Sequence, residues 1–319
     1  MNIQKAGYQG IWLPDLKIAL DGYHPEAEVS FVSHAHSDHV PSNRRSSVYA
    51  TPATLDLMRA RGFKGEGTPL GFGEWLECGR FRARLYPAGH ILGSAMIFIE
   101  SDWGTFLYTG DYRTPPSPAS DGFDAPEHAD ILITEATFSL PVYRWKPHHE
   151  LAEMVRRFAL DSLEEGFTPI FLGYSLGKTQ EVMHLLEPLN VPVRVHGSAL
   201  KLCDLYTEYG ISLGQYSGYD RTAGKDEILI APASARSAGF ASHLERTRIA
   251  YCSGWAANKY RSSQLGADAL IPLSDHLDFF ELIAFCKRLS PKTVYITHTP
   301  NPDVVQHYLA KEGIASVPF

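Results

Sequence analysis

The pattern of apolar and polar positions divides the chain into two differently built stretches. Through about residue 135 the apolar runs are short and bounded by turn residues, which predicts strands. Ile11-Trp-Leu and Lys17-Ile-Ala-Leu flank Pro14-Asp15 as a hairpin, and Val29-Ser-Phe-Val-Ser reads as a short buried strand. Phe81-Arg-Ala-Arg-Leu-Tyr alternates like a half-buried strand, residues 95–100 and 105–109 pair through Asp102-Trp-Gly104, and Ile131-Leu-Ile-Thr is another core strand. One helix is expected here, over residues 53–61 and closed by Gly62. From about Pro147 helices alternate with strands. Helices over 147–165, 178–189, 199–209, 277–288 and 302–311 are interleaved with strands at 169–172, 191–196, 227–230, 248–252, 270–273 and 293–297. Such βα alternation predicts a mostly parallel sheet with helical cover.

One polar run breaks this pattern sharply. Phe31-Val-Ser-His34-Ala-His36-Ser-Asp38-His39 places three imidazoles and a carboxylate directly after an apolar strand. A solvated loop is the bland explanation, and it usually suffices for one histidine. Four metal-competent groups on one strand-to-loop corner would crowd unless a cation held them. His90 in Ala88-Gly-His-Ile-Leu-Gly-Ser94, Asp111 in Tyr108-Thr-Gly-Asp-Tyr-Arg113 and His298 in Ile296-Thr-His-Thr-Pro300 stand at further strand ends. Each alone would pass for a hydrogen-bonded structural residue. Together with the main run they suffice for two cations sharing an aspartate.

Composition narrows the setting. In 319 residues, apolar content of 44% and charged content of 20% are those of an ordinary globular protein. The amino-terminal residues show no apolar secretory core, and no apolar run approaches a membrane span. The 4 cysteines form no C-x-x-C pair, so reduced thiols and a cytoplasmic location are expected. A net charge of −7 argues against indiscriminate nucleic-acid binding. Locally, Arg236, Arg246, Arg248, Lys259 and Arg261 face the single acid Glu245, as either a solvated face or a phosphate-contacting patch.

The ordered set Asp21, His34-x-His36-x-Asp38-His39, His90 and Asp111 resembles the motifs of the metallo-β-lactamase fold. Glu135 in Ile133-Thr-Glu-Ala-Thr-Phe, His276 in Leu273-Ser-Asp-His-Leu-Asp278 and His298 resemble the extra motifs of its β-CASP nuclease branch. Residues 134–144 and 173–180 are most similar to runs of bacterial ligase-associated DNA exonucleases. The resemblance implies an α/β protein: a four-layer αββα sandwich over 1–146 and 265–319, with an inserted, smaller α/β cap over 147–264. It implies two divalent metal ions, zinc first and manganese or iron as alternatives. His34, His36 and His90 would hold one, and Asp38, His39 and His298 the other. Asp111 would bridge them, and Asp21 would steer a ligand histidine. Two such cations can activate a water and clamp both oxygens of an in-line phosphoryl displacement. Asp38 would orient that water, His276 would be the general acid or a phosphate clamp, and Glu135 would keep His276 protonated.

Gly173-x-x-x-Gly177-Lys178-Thr179 is one residue short of a P-loop, which excludes nucleotide hydrolysis on this motif. It still sets Ser175 and Lys178 at a helix start suited to an anion, so they are expected to touch a substrate phosphate, such as a terminal 5′-phosphate. The expected function is a metal-dependent DNA exonuclease of repair, directed at 5′ ends, working alongside a DNA ligase and helicase. DNA is favoured over RNA because nothing after His298 resembles the additional C-terminal domains of RNA-processing members. An RNA-processing nuclease is the alternative, followed by a small-molecule hydrolase, which would need neither Glu135, His276 nor a cap. A non-cutting nucleic-acid scaffold is disfavoured by the complete ligand set.

Overall fold

A computed structural model describes every residue except 1, 8–9, 44–45, 225, 238 and 258–265. The chain divides into two compact units, one of Met1–Arg144 with His276–Phe319 and one of Trp145–Asp275.

The first unit opens on a sheet of β1 (Gln4–Ala6), β2 (Gly10–Leu13), β3 (Ile18–Leu20), β4 (Val29–Phe31), β5 (Ser47–Ala50) and β6 (Glu66–Pro69), adjacent in chain order. The hairpin expected around Pro14 forms between β2 and β3, and β3 through β6 run parallel. Helix α1 (Pro52–Ala60) is capped by Thr51, whose hydroxyl accepts from the Thr54 N–H at 3.1 Å. A second sheet begins with β7 (Trp75–Glu77), β8 (Phe81–Pro87), β9 (Ala95–Ser101), β10 (Gly104–Tyr108) and β11 (Ile131–Glu135).

The second unit holds helix α2 (His148–Glu164), β12 (Thr168–Leu172), α3 (Lys178–Leu186), β13 (Val193–Val195), α4 (Gly197–Glu208), β14 (Tyr216–Gly218), β15 (Ile228–Ala231), α5 (Ala233–Ser237), β16 (Thr247–Cys252) and β17 (Ala269–Ile271). Its sheet, in the order β14-β13-β15-β12-β16-β17, is wholly parallel, as the βα alternation predicts. The resemblance puts the edges of the expected inserted domain at 147 and 264. The structure draws them at 145 and 275, because β17 pairs with β16 rather than joining the first unit.

The chain then returns to the first unit with helix α6 (Phe279–Leu289), β18 (Thr293–Thr297), α7 (Pro302–Lys311) and β19 (Ser316–Pro318), completing the second sheet as β19-β18-β11-β10-β9-β8-β7. Helix α6 starts later than expected, because Asp278 caps it: its carboxylate accepts from the N–H groups of Phe280 and Glu281, while Glu281 answers the Asp278 N–H. Ile11, Leu20 and Phe31 from the first sheet meet Leu85, Ile97, Phe106 and Ile133 from the second in one buried core. On the second sheet's other face, Leu107, Leu132 and Val294 pack against Leu282, Phe285 and Leu309 of α6 and α7. Loops at the ends of β3, β4, β8, β10, β11 and β18 carry the histidines and carboxylates singled out above. The fold is mixed α/β.

Candidate metal centre

Asp21 follows β3 in a left-handed backbone conformation (φ 49°), which turns its carboxylate back into the protein. Buried there, its Oδ1 accepts from the Ser33 N–H at 2.6 Å, and its Oδ2 faces the Ser33 hydroxyl at 2.5 Å, His39 Nδ1 at 2.8 Å and the Tyr108 hydroxyl at 2.8 Å. The strand end and the histidine run are thereby tied to one anchor. Burial, with the Asp21 carboxylate next, holds the Tyr108 phenol well above its ordinary pKa, which keeps it a donor.

The run itself turns inward. His34 Nε2 and His90 Nε2 each lie 3.1 Å from His36 Nδ1. Asp111 Oδ2 lies 3.6 Å from His34 Nε2, 3.8 Å from His90 Nε2 and 3.4 Å from His39 Nε2. A tetrahedral cation bound at about 2.0–2.1 Å spaces its donors roughly 3.3–3.4 Å apart, so His34, His36, His90 and Asp111 have the edge lengths of a coordination shell. His298 Nε2 is sealed from solvent with no hydrogen-bond partner among the described residues, and its ring stacks 5.1 Å from that of His39. An orphaned buried imidazole nitrogen beside another histidine is what a second cation would satisfy. The donor set therefore fits divalent metal.

Electrostatics agree. Burial, then the charge of His39, pushes His34 well below its ordinary pKa, which favours the neutral imidazole. Burial also opposes charge on His39, but Asp111 and Asp21 outweigh it and hold His39 well above the usual value. Burial would raise Asp111; His39 above all, then His276, holds it well below the usual carboxylate range instead. Burial pushes the thiols of Cys203, Cys252 and Cys286 up to about 12, so these sulfurs are not thiolate ligands.

Beside this group, Glu135 ends β11, buried, and accepts from the N–H groups of Tyr112 at 3.2 Å and Thr137 at 3.1 Å. Its Oε1 lies 2.7 Å from His276 Nδ1, and donor atoms of Asp111, Glu135 and His276 fall within 4.8 Å of one another. Leu277 N–H donates to the Tyr112 carbonyl at 3.1 Å, which with the Asp278 cap fixes the loop carrying His276.

No protein-family model matches the sequence. The chain is 34% identical over 295 residues to a probable DNA ligase of Opitutus terrae, a match covering 91% of the chain and 28% of that protein. It is 28% identical over 211 residues to an RNase J-like protein of Methanocaldococcus jannaschii, covering 56% of the chain and 49% of that protein. With the 5′ exonuclease Apollo of Gallus gallus it shares 27% identity over 303 residues, covering 89% of the chain and 62% of that protein. The chain belongs to the β-CASP metallo-β-lactamase nuclease family. It spans less than two thirds of the length of each of these three relatives. A crystal structure of a protein of unknown function from Enterococcus faecalis shares the fold with a TM-score of 0.61 at 15% identity, covering 86% of this chain and 76% of that one.

Against the β-CASP motifs, the structure brings together Asp21, His34, His36, His39, His90, Asp111, Glu135 and His276 and lays His298 against His39. Asp38 stands looser, half exposed, with Oδ2 4.0 Å from His39 Nε2. The expectation for Lys178 needs correction. Its ammonium is buried, bonded to Glu181 at 2.7 Å and 3.7 Å from Asp275, so a phosphate would have to displace two carboxylates to reach it. Ser175, half exposed, shares a 2.7 Å hydrogen bond with Ser198. Of the basic cluster, Arg246 and Arg248 stack on Phe167 at 4.4 Å and bind Glu165, and Arg236 donates to the Gly266 carbonyl; Lys259 and Arg261 lie outside the described residues.

Sequence reasoning overlooked Ser33, Tyr108 and Thr297. The signal was available for two of them, since a hydroxyl residue stands immediately before His34 and before His298. Gly110 is also required: its φ is 53°, and a Cβ there would sit 2.5 Å from Ser33 Oγ. Gly110→Ala is expected to destabilise the protein by about 1–3 kcal/mol, measured by urea unfolding, through backbone strain and displacement of Ser33.

Proposed function

We propose that this chain is a metal-dependent phosphodiesterase that shortens DNA from 5′ ends, in a repair setting, with zinc as the first-choice metal. The observation that carries the reading is one carboxylate, Asp111, grouped on one side with His34, His36 and His90 and on the other with Glu135 and His276. The two facing sheets with their packed helices fit the four-layer αββα sandwich, and residues 145–275 fit the β-CASP cap. His34, His36 and His90 would hold one cation, Asp38, His39 and His298 the other, with Asp111 shared. Such cations supply Lewis acidity and make a water nucleophilic near neutral pH.

The remaining work falls to the chain's own groups. Asp38, solvent-accessible beside His39, would orient the attacking water. With Nδ1 engaged by Glu135, His276 would protonate the leaving 3′-oxygen from Nε2. A DNA substrate is supported by the likeness to part of a protein named for DNA ligation and to a named 5′ exonuclease. The same likeness supports partnership with a ligase, a helicase being the further partner proposed. No described helix is long and apolar enough to cross a membrane. The free cysteines suit a cytoplasmic setting.

Digestion of end-labelled single- and double-stranded DNA and matched RNA, with Zn²⁺ or Mn²⁺ and with chelator, tests this. Metal-dependent loss of the 5′ label from DNA is the expected result. No cleavage of any polymer would sink the nuclease reading. Faster cleavage of RNA would favour a second reading, RNA processing, which the RNase J-like relative motivates.

A further inference from the structure

We infer that the hydroxyls of Ser33 and Thr297 set the tautomers of His34 and His298, so that each ring turns a bare Nε2 into the metal centre. This rests on the metal reading above and adds to it two residues that touch no metal.

Ser33 Oγ has one hydrogen to give, and its 2.5 Å neighbour, Asp21 Oδ2, is an acceptor. That hydrogen is therefore committed to Asp21. The 2.9 Å contact between Ser33 Oγ and His34 Nδ1 can then be a hydrogen bond only if Nδ1 carries the proton. With its one ring proton placed on Nδ1 by that bond, the neutral imidazole keeps a lone pair on Nε2, which faces His36 and Asp111. Thr297 repeats the logic at the other end of the centre. Its Oγ1 donates at 3.1 Å to the Thr134 carbonyl, which can only accept, so His298 Nδ1 must donate to Oγ1 across 2.9 Å. His298 Nε2 is then the bare nitrogen, the one found sealed and unpartnered. Asp21 thus orients His39 directly and His34 through Ser33, while a backbone carbonyl of β11 orients His298 through Thr297. Neither hydroxyl has freedom to reverse: both residues are buried, and Gly110 closes over Ser33.

The test reads metal binding and tautomer rather than turnover. Zn²⁺ affinity of the full chain is measured by chelator competition for wild type, Ser33→Ala, Thr297→Val and Thr297→Ser. Partners that orient a ligand histidine are worth about 10–100-fold in metal affinity. Ser33→Ala is expected to weaken one of two ions by that factor and Thr297→Val the other, while Thr297→Ser, which keeps the hydroxyl, binds as wild type. In metal-free protein, long-range proton–nitrogen correlation spectra should show His34 and His298 protonated at Nδ1, a signature that also serves if Ser33→Ala does not fold. Wild type binding two ions, with Ser33→Ala and Thr297→Val equal to it or weakening both ions alike, would overturn the inference alone. The Nε2–H tautomer at either ring would do the same. Wild type binding no ion would bring down the metal reading and this inference together.

Discussion

Asp111→Asn is expected to strip both metal positions and reduce DNA cleavage to the level of chelated wild type. Asp111 Oδ2 is the oxygen that approaches His34, His90 and His39 together, at 3.6, 3.8 and 3.4 Å. Removing its charge therefore weakens both ions rather than one. Binding free energies of about 10–16 kcal/mol shared among four ligands assign roughly 3 kcal/mol to each, or ~10²-fold per ion. Compounded over two ions, that is ~10⁴-fold in the doubly loaded protein. The variant also leaves His39 without the stronger of its two carboxylates, so the metal-free form is destabilised as well. Metal content after dialysis, read beside activity, checks the expectation. Two retained ions per chain would remove Asp111 from its shared position.

His276→Ala should act differently, lowering turnover by ~10²–10⁴-fold, the range for a lost general acid, with metal content unchanged. Its Nδ1 is held at 2.7 Å by Glu135, and that carboxylate is fixed by the N–H groups of Tyr112 and Thr137. The ring is thus braced from behind. Glu135→Gln should give a smaller loss, because an amide must turn its NH₂ toward a backbone N–H or toward His276. A phosphodiester with a nitrophenolate leaving group separates acid catalysis from phosphate clamping. That leaving group needs no proton, so His276→Ala should lose little on it. An equal loss on DNA and on the nitrophenyl ester would reject proton donation and leave His276 as a clamp.

The strands that bury both faces or alternate cleanly were legible from pattern alone, as β8, β9, β10 and β12 show. Strands β1, β6, β7, β14 and β19 were not. They are short, mostly exposed, and β6 reads Glu66-Gly-Thr-Pro, which carries no hydrophobic period. Each takes its strand form from the adjacent strand it pairs with, β1 on β2, β6 on β5, β7 on β8, β14 on β13 and β19 on β18, rather than from its own pattern. The α3 segment was expected to run to residue 189, but Pro188 gives way to a 3₁₀ turn over Glu187–Leu189. At the site, ligand types and spacings announced themselves because imidazoles and carboxylates cluster at strand ends for few other reasons. Lys178 misled because the glycine spacing advertises an anion site, whereas burial is not written locally. The corrective clue was Glu181, three residues on and on the same helical face. Ser33 and Thr297 escaped because a hydroxyl acquires meaning only when its acceptor, Asp21 or the Thr134 carbonyl, is in place.

Strand β18 enters the second sheet beside β11, although residues 136–292 separate them in the chain. This has a consequence for biosynthesis. A chain emerging from the ribosome exposes Asp21, His34, His36, Asp38, His39, His90 and Asp111 well before His276 and His298. Until then β11 has an unpaired edge and the centre lacks both its late histidines. On the proposed nuclease reading, a nascent chain of this protein would gain cutting power only once β18 has been made.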